Sequence, residues 1–186
     1  PVSSSSFATF STTCGTNVAL ASRSSFGLHF SRAASVSAPS SPYHLPTSGD
    51  HPYKEGFRKA WGVTNGNQTS GAGAADYIEI YQYIEGHNMA NCGWDYKNSN
   101  SKMTLSFWIK SSVAQKFAGF LYTTLANGTS VGYMYDYSID NGGSNLTADT
   151  WTKITHTFSG NSNLNITNGT GYGLGFGIYV FQGTDY

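Results

Sequence analysis

The stretch "NMANCGWDYKNSN", residues 88–100, brings Trp94, Tyr96, Asp95 and Asn91 close together in the chain. A flat aromatic face lies well against the apolar side of a pyranose, and a few amides or carboxylates bond its hydroxyls, so the group has the chemistry of a sugar contact. Tyr81, Gln82 and Tyr83 stand just before it and extend the set. The competing reading has Trp94 plugging the end of a β-sandwich and the tyrosines packing against a partner. Glycoside hydrolysis would need two carboxylates roughly 5–10 Å apart across a cleft. Glu79 and Glu85 share a strand face but lie about 20 Å apart at ~3.3 Å per residue, so they do not form such a pair; Asp76, Asp95, Asp136 and Asp140 leave other combinations open. The five histidines, His29, His44, His51, His87 and His156, show no HxH or HExxH spacing, and no CxxC or Cys/His cluster suggests zinc. The glycines of "GYGLGFG" alternate with period two, as strand residues do, and do not form a phosphate loop. No catalytic residue, metal ligand or enzyme activity is assigned.

Short strands must position these groups. Six candidates, 77–85, 103–111, 117–123, 131–139, 151–159 and 173–181, follow a first at 57–64, each bounded by Gly, Asn, Asp or Ser. Seven strands with no convincing helix predict an all-β jelly roll or β-sandwich. In "DYIEIYQYIEG" the period of two puts Ile78, Ile80 and Ile84 toward a core and Tyr77, Glu79, Tyr81, Tyr83 and Glu85 on the far side. Met103, Leu105, Phe107 and Ile109 share one face of the next strand. Leu174, Phe176, Ile178 and Val180 share one face of the last, opposite Gly173, Gly175 and Gly177, a row that lets a ring or backbone lie close. Tyr133, Tyr135 and Tyr137 are aligned in 131–139 and read, with Phe7 and Phe10, as an assembly interface.

The chain has 186 residues, ten basic and ten acidic, with 11% charged, 15% aromatic, 13 Tyr and 22 Gly. Its neutrality gives no electrostatic case for nucleic acid or an anionic membrane surface, and no run of about 18 apolar residues could span a bilayer. No targeting segment is evident in "PVSSSSFATFSTT". Residues 1–50, rich in Ser, Ala and Thr and ending in a proline-punctuated loop, are expected to form an arm with one or two strands, and residues 51–186 the sandwich. Cys14 and Cys92 permit one disulfide, whose long loop would contribute ~4 kcal/mol in the chain-entropy model; the alternative is two unpaired thiols.

"ADYIEIYQYIEGHNMANCGW", "MTLSFWIKSS", "YSIDNGGSNLTADTWTKITHTFSG" and "NGTGYGLGFGIYVF" together resemble a domain of phage and cyanophage virion proteins, tail-fibre-like and carrying carbohydrate-binding-module-like jelly rolls. The resemblance spans about residues 57–182. It is marked by Gln82, Ile84, Glu85, Gly86 and Asn88, by "LSFWIKSS" and by "DTWTKIT". These positions determine fold rather than catalysis. The pattern normally continues into another closing strand, which predicts either truncation or completion by a neighbour, with the arm as donor strand. The resemblance implies a non-enzymatic structural subunit of a virion surface, fibre or extracellular filament, self-assembling as a homo-oligomer or a helical or icosahedral array. Its alternative is a receptor-recognition module for a cell-surface glycan, using Trp94, Asp95, Tyr96, Asn91, Tyr81 and Tyr83. A depolymerase fragment is a third reading. No cofactor is required; calcium, which jelly-roll binding modules often carry, is left open, and no DxDxDG run appears. Asn67, Asn127, Asn145, Asn165 and Asn168 lie in N-glycosylation sequons, incidental in a phage protein and real acceptors in a secreted glycoprotein.

Overall fold

Strand β5 (Tyr77–Glu85) shows how the pattern becomes structure: Ile78, Ile80, Gln82 and Ile84 are buried while Tyr77, Glu79, Tyr81 and Tyr83 are half-buried on the opposite side. One face of the strand meets a core, so the register cannot slip by one residue without turning every isoleucine outward. The computed structural model describes residues 5–14, 18–19, 26–31, 48–57, 60–64, 73–124 and 131–185. Side chains are described within 48–57, 60, 73–123 and 135–185.

The remaining strands are β1 (Ser5–Cys14), β2 (Val18–Ala19), β3 (Phe26–Ser31), β4 (Trp61–Thr64), β6 (Lys102–Ser111), β7 (Phe117–Thr124), β8 (Val131–Ile139), β9 (Thr152–Ser159) and β10 (Tyr172–Gln182). They form two antiparallel sheets. Sheet A runs β2-β1-β6-β9, with β4 also paired to β1, and sheet B runs β3-β5-β10-β7-β8. Among the described residues two short helices, α1 (His51–Lys54) and α2 (Gly86–Asn91), of four and six residues, interrupt the strands. This is the all-β sandwich expected from the strand pattern. The chain crosses between sheets on both sides of β6 and on both sides of β9, which binds the two layers together.

Two segments depart from expectation. Residues 5–14 and 26–31 were expected in an arm outside the sandwich, yet both are strands of it. Ser6–Cys14 pairs with Ser111–Met103 of β6, and Phe26–Ser31 pairs with Gln82–Tyr77 of β5. The physical reason is the exposed row of N–H and C=O groups that β6 and β5 would otherwise present at a sheet edge. Thus the Phe7 and Phe10 backbones sit opposite Lys110 and Phe107 of the same chain, rather than against a neighbour. Their side chains, and that of Tyr133 opposite Thr123, lie outside the described residues.

Between the sheets, Leu105, Phe107, Ile109, Ile154 and Phe158 of sheet A meet Ile78, Ile80, Leu121, Leu174, Phe176 and Ile178 of sheet B. Each such side chain is worth roughly 1.5–3 kcal/mol of burial, and Leu146, Leu164 and Ile166 bring loop residues into the same cluster. Tyr137 of β8 also points inward. It is 7% exposed, it lies on Gly119 of the adjacent strand, and its hydroxyl donates to the Gly177 carbonyl at 3.2 Å. Across the gap it meets His156 and Phe158 of β9, with ring centroids 4.6 and 5.8 Å away. Tyr135 packs on Phe158 and donates to the Ser159 carbonyl at 2.9 Å. Both tyrosines therefore close the sandwich where β8 and β9 meet, which corrects their reading as an assembly interface.

On the outer face of sheet A, α1 covers Trp108. His51 stacks on the indole at 5.8 Å, Glu55 accepts the indole N–H at 3.0 Å, and Lys153 reaches both Glu55 oxygens at 3.1 Å. The indole and ammonium donors hold the Glu55 carboxyl below its ordinary range. With Glu55 and Lys153 nearly half exposed, this pair contributes little on its own and mainly fixes α1 in place.

Replacing Gly119 by Ala would drive a methyl group into the Tyr137 ring, so Gly119→Ala is expected to destabilise the fold by roughly 1–3 kcal/mol in urea unfolding. Gly171→Ala, whose new carbon meets no atom within 4 Å, is expected to change stability by less than about 0.5 kcal/mol.

Candidate functional site

Strand β10 lies between β5 and β7, and its outward positions are glycines. Gly175 sits opposite Tyr83 on one side and Tyr122 on the other, and Gly177 opposite Tyr81 and Phe120. Without side chains at these positions, the rings of β7 lean over the strand. A Cβ on Gly175 would come within 2.6 Å of the Tyr122 ring, and one on Gly177 would strike Phe120. The glycine row is therefore a floor on which aromatic rings lie.

The rings form a continuous row. Tyr172 lies 4.0 Å from Tyr83, which is 4.9 Å from Tyr81 and 6.0 Å from Tyr122. Tyr122 stacks on Phe120 at 5.7 Å, Phe120 meets Tyr179 at 4.9 Å, and Tyr179 meets Tyr77 edge-on at 6.0 Å. Phe120 is buried beneath its neighbours, the other tyrosines are half-buried, and Tyr172 is 51% exposed. Beyond Tyr179 the row opens into a cleft of about 480 Å³ bordered by Gln115, Lys116 and Gln182.

The Tyr83 hydroxyl is hydrogen-bonded to those of Tyr81 and Tyr122. Burial pushes both of the latter phenols above their ordinary range, helped by these bonds and by the negative charge of Glu79. These phenols are consequently neutral at physiological pH and present O–H donors and acceptors between apolar rings, and Glu79 brings a negative charge to β5's outer side. Among the described residues, no group of three His, Cys, Asp or Glu side chains could hold a metal ion.

Other nominated residues fall elsewhere. Trp94 is 6% exposed, belongs to the core cluster beside Met89 and Cys92, and donates its indole N–H to the Ser101 carbonyl at 3.4 Å. The nomination of Trp94 as a sugar contact is thus corrected in favour of the competing reading, the plug at the sandwich end: α2 and the turn after it fold the indole inward, where its large apolar area is better buried than wet. Tyr96 packs half-buried against the same core, with its hydroxyl donating to the Ile166 carbonyl at 3.3 Å. Asn91 and Asp95 are exposed, and the Asp95 N–H donates to the Ser101 hydroxyl. Since Trp94 points between the sheets and Tyr81 and Tyr83 point away from them, the six nominated residues do not make one site. Only the two β5 tyrosines belong to the aromatic row.

Cys92 is a free thiol, 4% exposed, which agrees with the unpaired alternative rather than the possible disulfide; the Cys14 side chain lies outside the described residues. Of the sequons, Asn145 and Asn168 are exposed, and Asn145 donates its amide to the Ala114 carbonyl. The Asn165 side-chain nitrogen is buried, which removes it as an acceptor in the folded chain. Asn67 and Asn127 lie outside the described residues.

Phe120, Tyr122, Tyr172 and Tyr179 were not nominated from sequence. The usable signal was the glycine row, which demands a ring above it, together with the parity of Phe120 and Tyr122 in "FAGFLYT". Comparison with known proteins finds no matching family model, no matching curated protein and no matching solved structure. No helix among the described residues is long and apolar enough to cross a membrane.

A phenol whose folded pKa is raised keeps its proton after the unfolded chain has begun to lose its own, so its stabilising contribution is fully present below pH 10.0, the ordinary value, and is lost as pH climbs further. Tyr122→Phe, which keeps the ring over Gly175, is expected to give a shallower alkaline loss of stability than wild type. Urea unfolding at pH values from 9 upward, read beside phenolate absorbance, measures the difference; Tyr137, also raised by burial, leaves part of the slope in place.

Proposed function

We propose that the chain is a non-catalytic binding module that takes a neutral glycan along the outer face of sheet B, on the surface of a virion, fibre or other extracellular assembly. The observation that carries this reading is the aromatic row on its glycine floor. Rings tilted over a groove present apolar faces to sugar C–H groups, and the tyrosine hydroxyls and the Gln115, Lys116 and Gln182 side chains at its cleft end supply partners for sugar hydroxyls. The phenols are uncharged, so a neutral ligand laid on the rings covers no phenolate that would have to be desolvated. The placement on a virion or fibre rests on the resemblance of the strand sequences to phage structural proteins.

Assembly from many copies is the second reading, favoured by Tyr172, a large side chain half out in solvent at the end of the row. It ranks second because Tyr135 and Tyr137 are consumed within the chain and β1 is paired to β6 of the same chain. The same sheet face remains open to it.

Screening on an array of neutral glycans tests the proposal. Tyr81→Ala and Tyr179→Ala are each expected to weaken the best ligand several-fold, at about 0.5–1.5 kcal/mol per aromatic contact, and together by more than tenfold. Trp94→Phe is expected to lower stability and leave glycan affinity alone. A chain that retains no neutral glycan, but forms a larger species by light scattering that Tyr172→Ala disperses, would move assembly to first place.

A further inference from the structure

Tyr83 and Tyr172 have the shortest ring separation along the aromatic row, 4.0 Å between centroids with planes 34° apart. The other ring pairs of the row span 4.9–6.0 Å. Their strands are paired neighbours, and the backbone beside them is tied by Gly86 N–H to the Gly171 carbonyl and His87 N–H to the Gly169 carbonyl, each at 3.0 Å. Two phenols are thus held nearly in contact on a fixed frame. Tyr172 is 51% exposed and open to a reagent in solution, whereas among the described residues Cys92, Met89, Met103, Trp94 and Trp108 are sheltered at 4–7% exposed, and Trp151 is half-buried.

We infer that Tyr83 and Tyr172 are a site of oxidative modification, joined by a peroxidase-type one-electron oxidant and hydrogen peroxide into an intramolecular dityrosine. Each phenol gives up one electron and its hydroxyl proton. The two phenoxyl radicals bond through ring carbons ortho to oxygen, and the hydrogen on each joined carbon then moves to oxygen and restores both phenols. The protein loses two hydrogen atoms, and one peroxide is reduced to two waters. The hydrogen bonds that link the hydroxyls of Tyr81 and Tyr122 to that of Tyr83 serve the same end. A radical formed on either neighbour can exchange with Tyr83 by moving a proton and an electron across a bond already made, so oxidation at Tyr81 or Tyr122 can also reach the pair, where coupling traps it. The modification needs nothing from the glycan reading, since it rests on ring proximity alone.

The test treats the purified full chain, dilute enough to disfavour contact between molecules, with a peroxidase and hydrogen peroxide. The expected product is a monomer lighter by two hydrogens, with dityrosine fluorescence and a proteolytic fragment joining the peptides that contain Tyr83 and Tyr172. Because the bond closes a loop of roughly ninety residues, the midpoint of thermal unfolding should rise by several degrees. Tyr172→Phe, a change at an exposed position that circular dichroism can check for intact folding, is expected to cut the yield at least tenfold, and Tyr53→Phe to leave it unchanged. The inference fails if the bond joins Tyr81 to Tyr83, if cross-links form only between molecules, if Tyr172→Phe reacts as wild type does, or if no dityrosine appears.

Discussion

Strand β10 has to satisfy two crowded faces at once. Inward, Leu174, Phe176, Ile178 and Val180 complete the core; outward, the strand lies between two rows of aromatic side chains. Only glycine leaves room for the second layer, because any Cβ at 175 or 177 would occupy the space of a ring. The cost is the backbone entropy that glycine loses on ordering, up to ~1 kcal/mol relative to alanine at each position. The pairing of β5, β10 and β7 on either side, and the rings laid over them, offset it. The candidate site is therefore a by-product of how this sheet is held together.

The opposite edge shows the same device turned inward. Tyr137 lies on Gly119 and reaches the Gly177 backbone while contacting β9, so a single side chain bridges three strands and both sheets. Beside it, His156 Nε2 is 2.7 Å from the Ser138 carbonyl, adding a polar stitch between the sheet edges. Glycine opposite a ring thus recurs as a local motif, used inside the sandwich to close it and outside to build the exposed row.

Much of this was legible in the sequence. Strands β5 to β10 fall within a residue of their expected bounds, since alternation is strong and the turns between them are rich in Gly, Asn and Asp. The two tyrosine-lined strands looked alike but face opposite ways, and the difference was written in the other parity: β5 sets isoleucines against its tyrosines, whereas β8 places Ile139 on the tyrosine side and Asp136 and Ser138 on the other. Period two says which residues share a face; the alternate set says which face is the core. Trp94 was harder, because a turn after a six-residue helix has no period to orient it. Strands β1 and β3 were harder still: Ser-rich segments of modest hydropathy are recognised as strands mainly by the partners they meet, and those partners lie far along the chain.

That distance has a kinetic side. The segment Ser6–Cys14 is interior to sheet A, yet its ladder partner, Met103–Ser111, is made roughly a hundred residues later, and the loop between them must be closed before any of its hydrogen bonds form. During synthesis the first strand has to wait, solvated and unpaired, until β6 has emerged and begun to pair with β9. Its abundance of serine and threonine suits such a wait, because a chain segment that water tolerates is slow to find wrong partners. The rate of folding should accordingly be set by the long-range closures, this one and the equally distant pairing of β5 with β10, with the hairpin of β7 and β8 formed well before them.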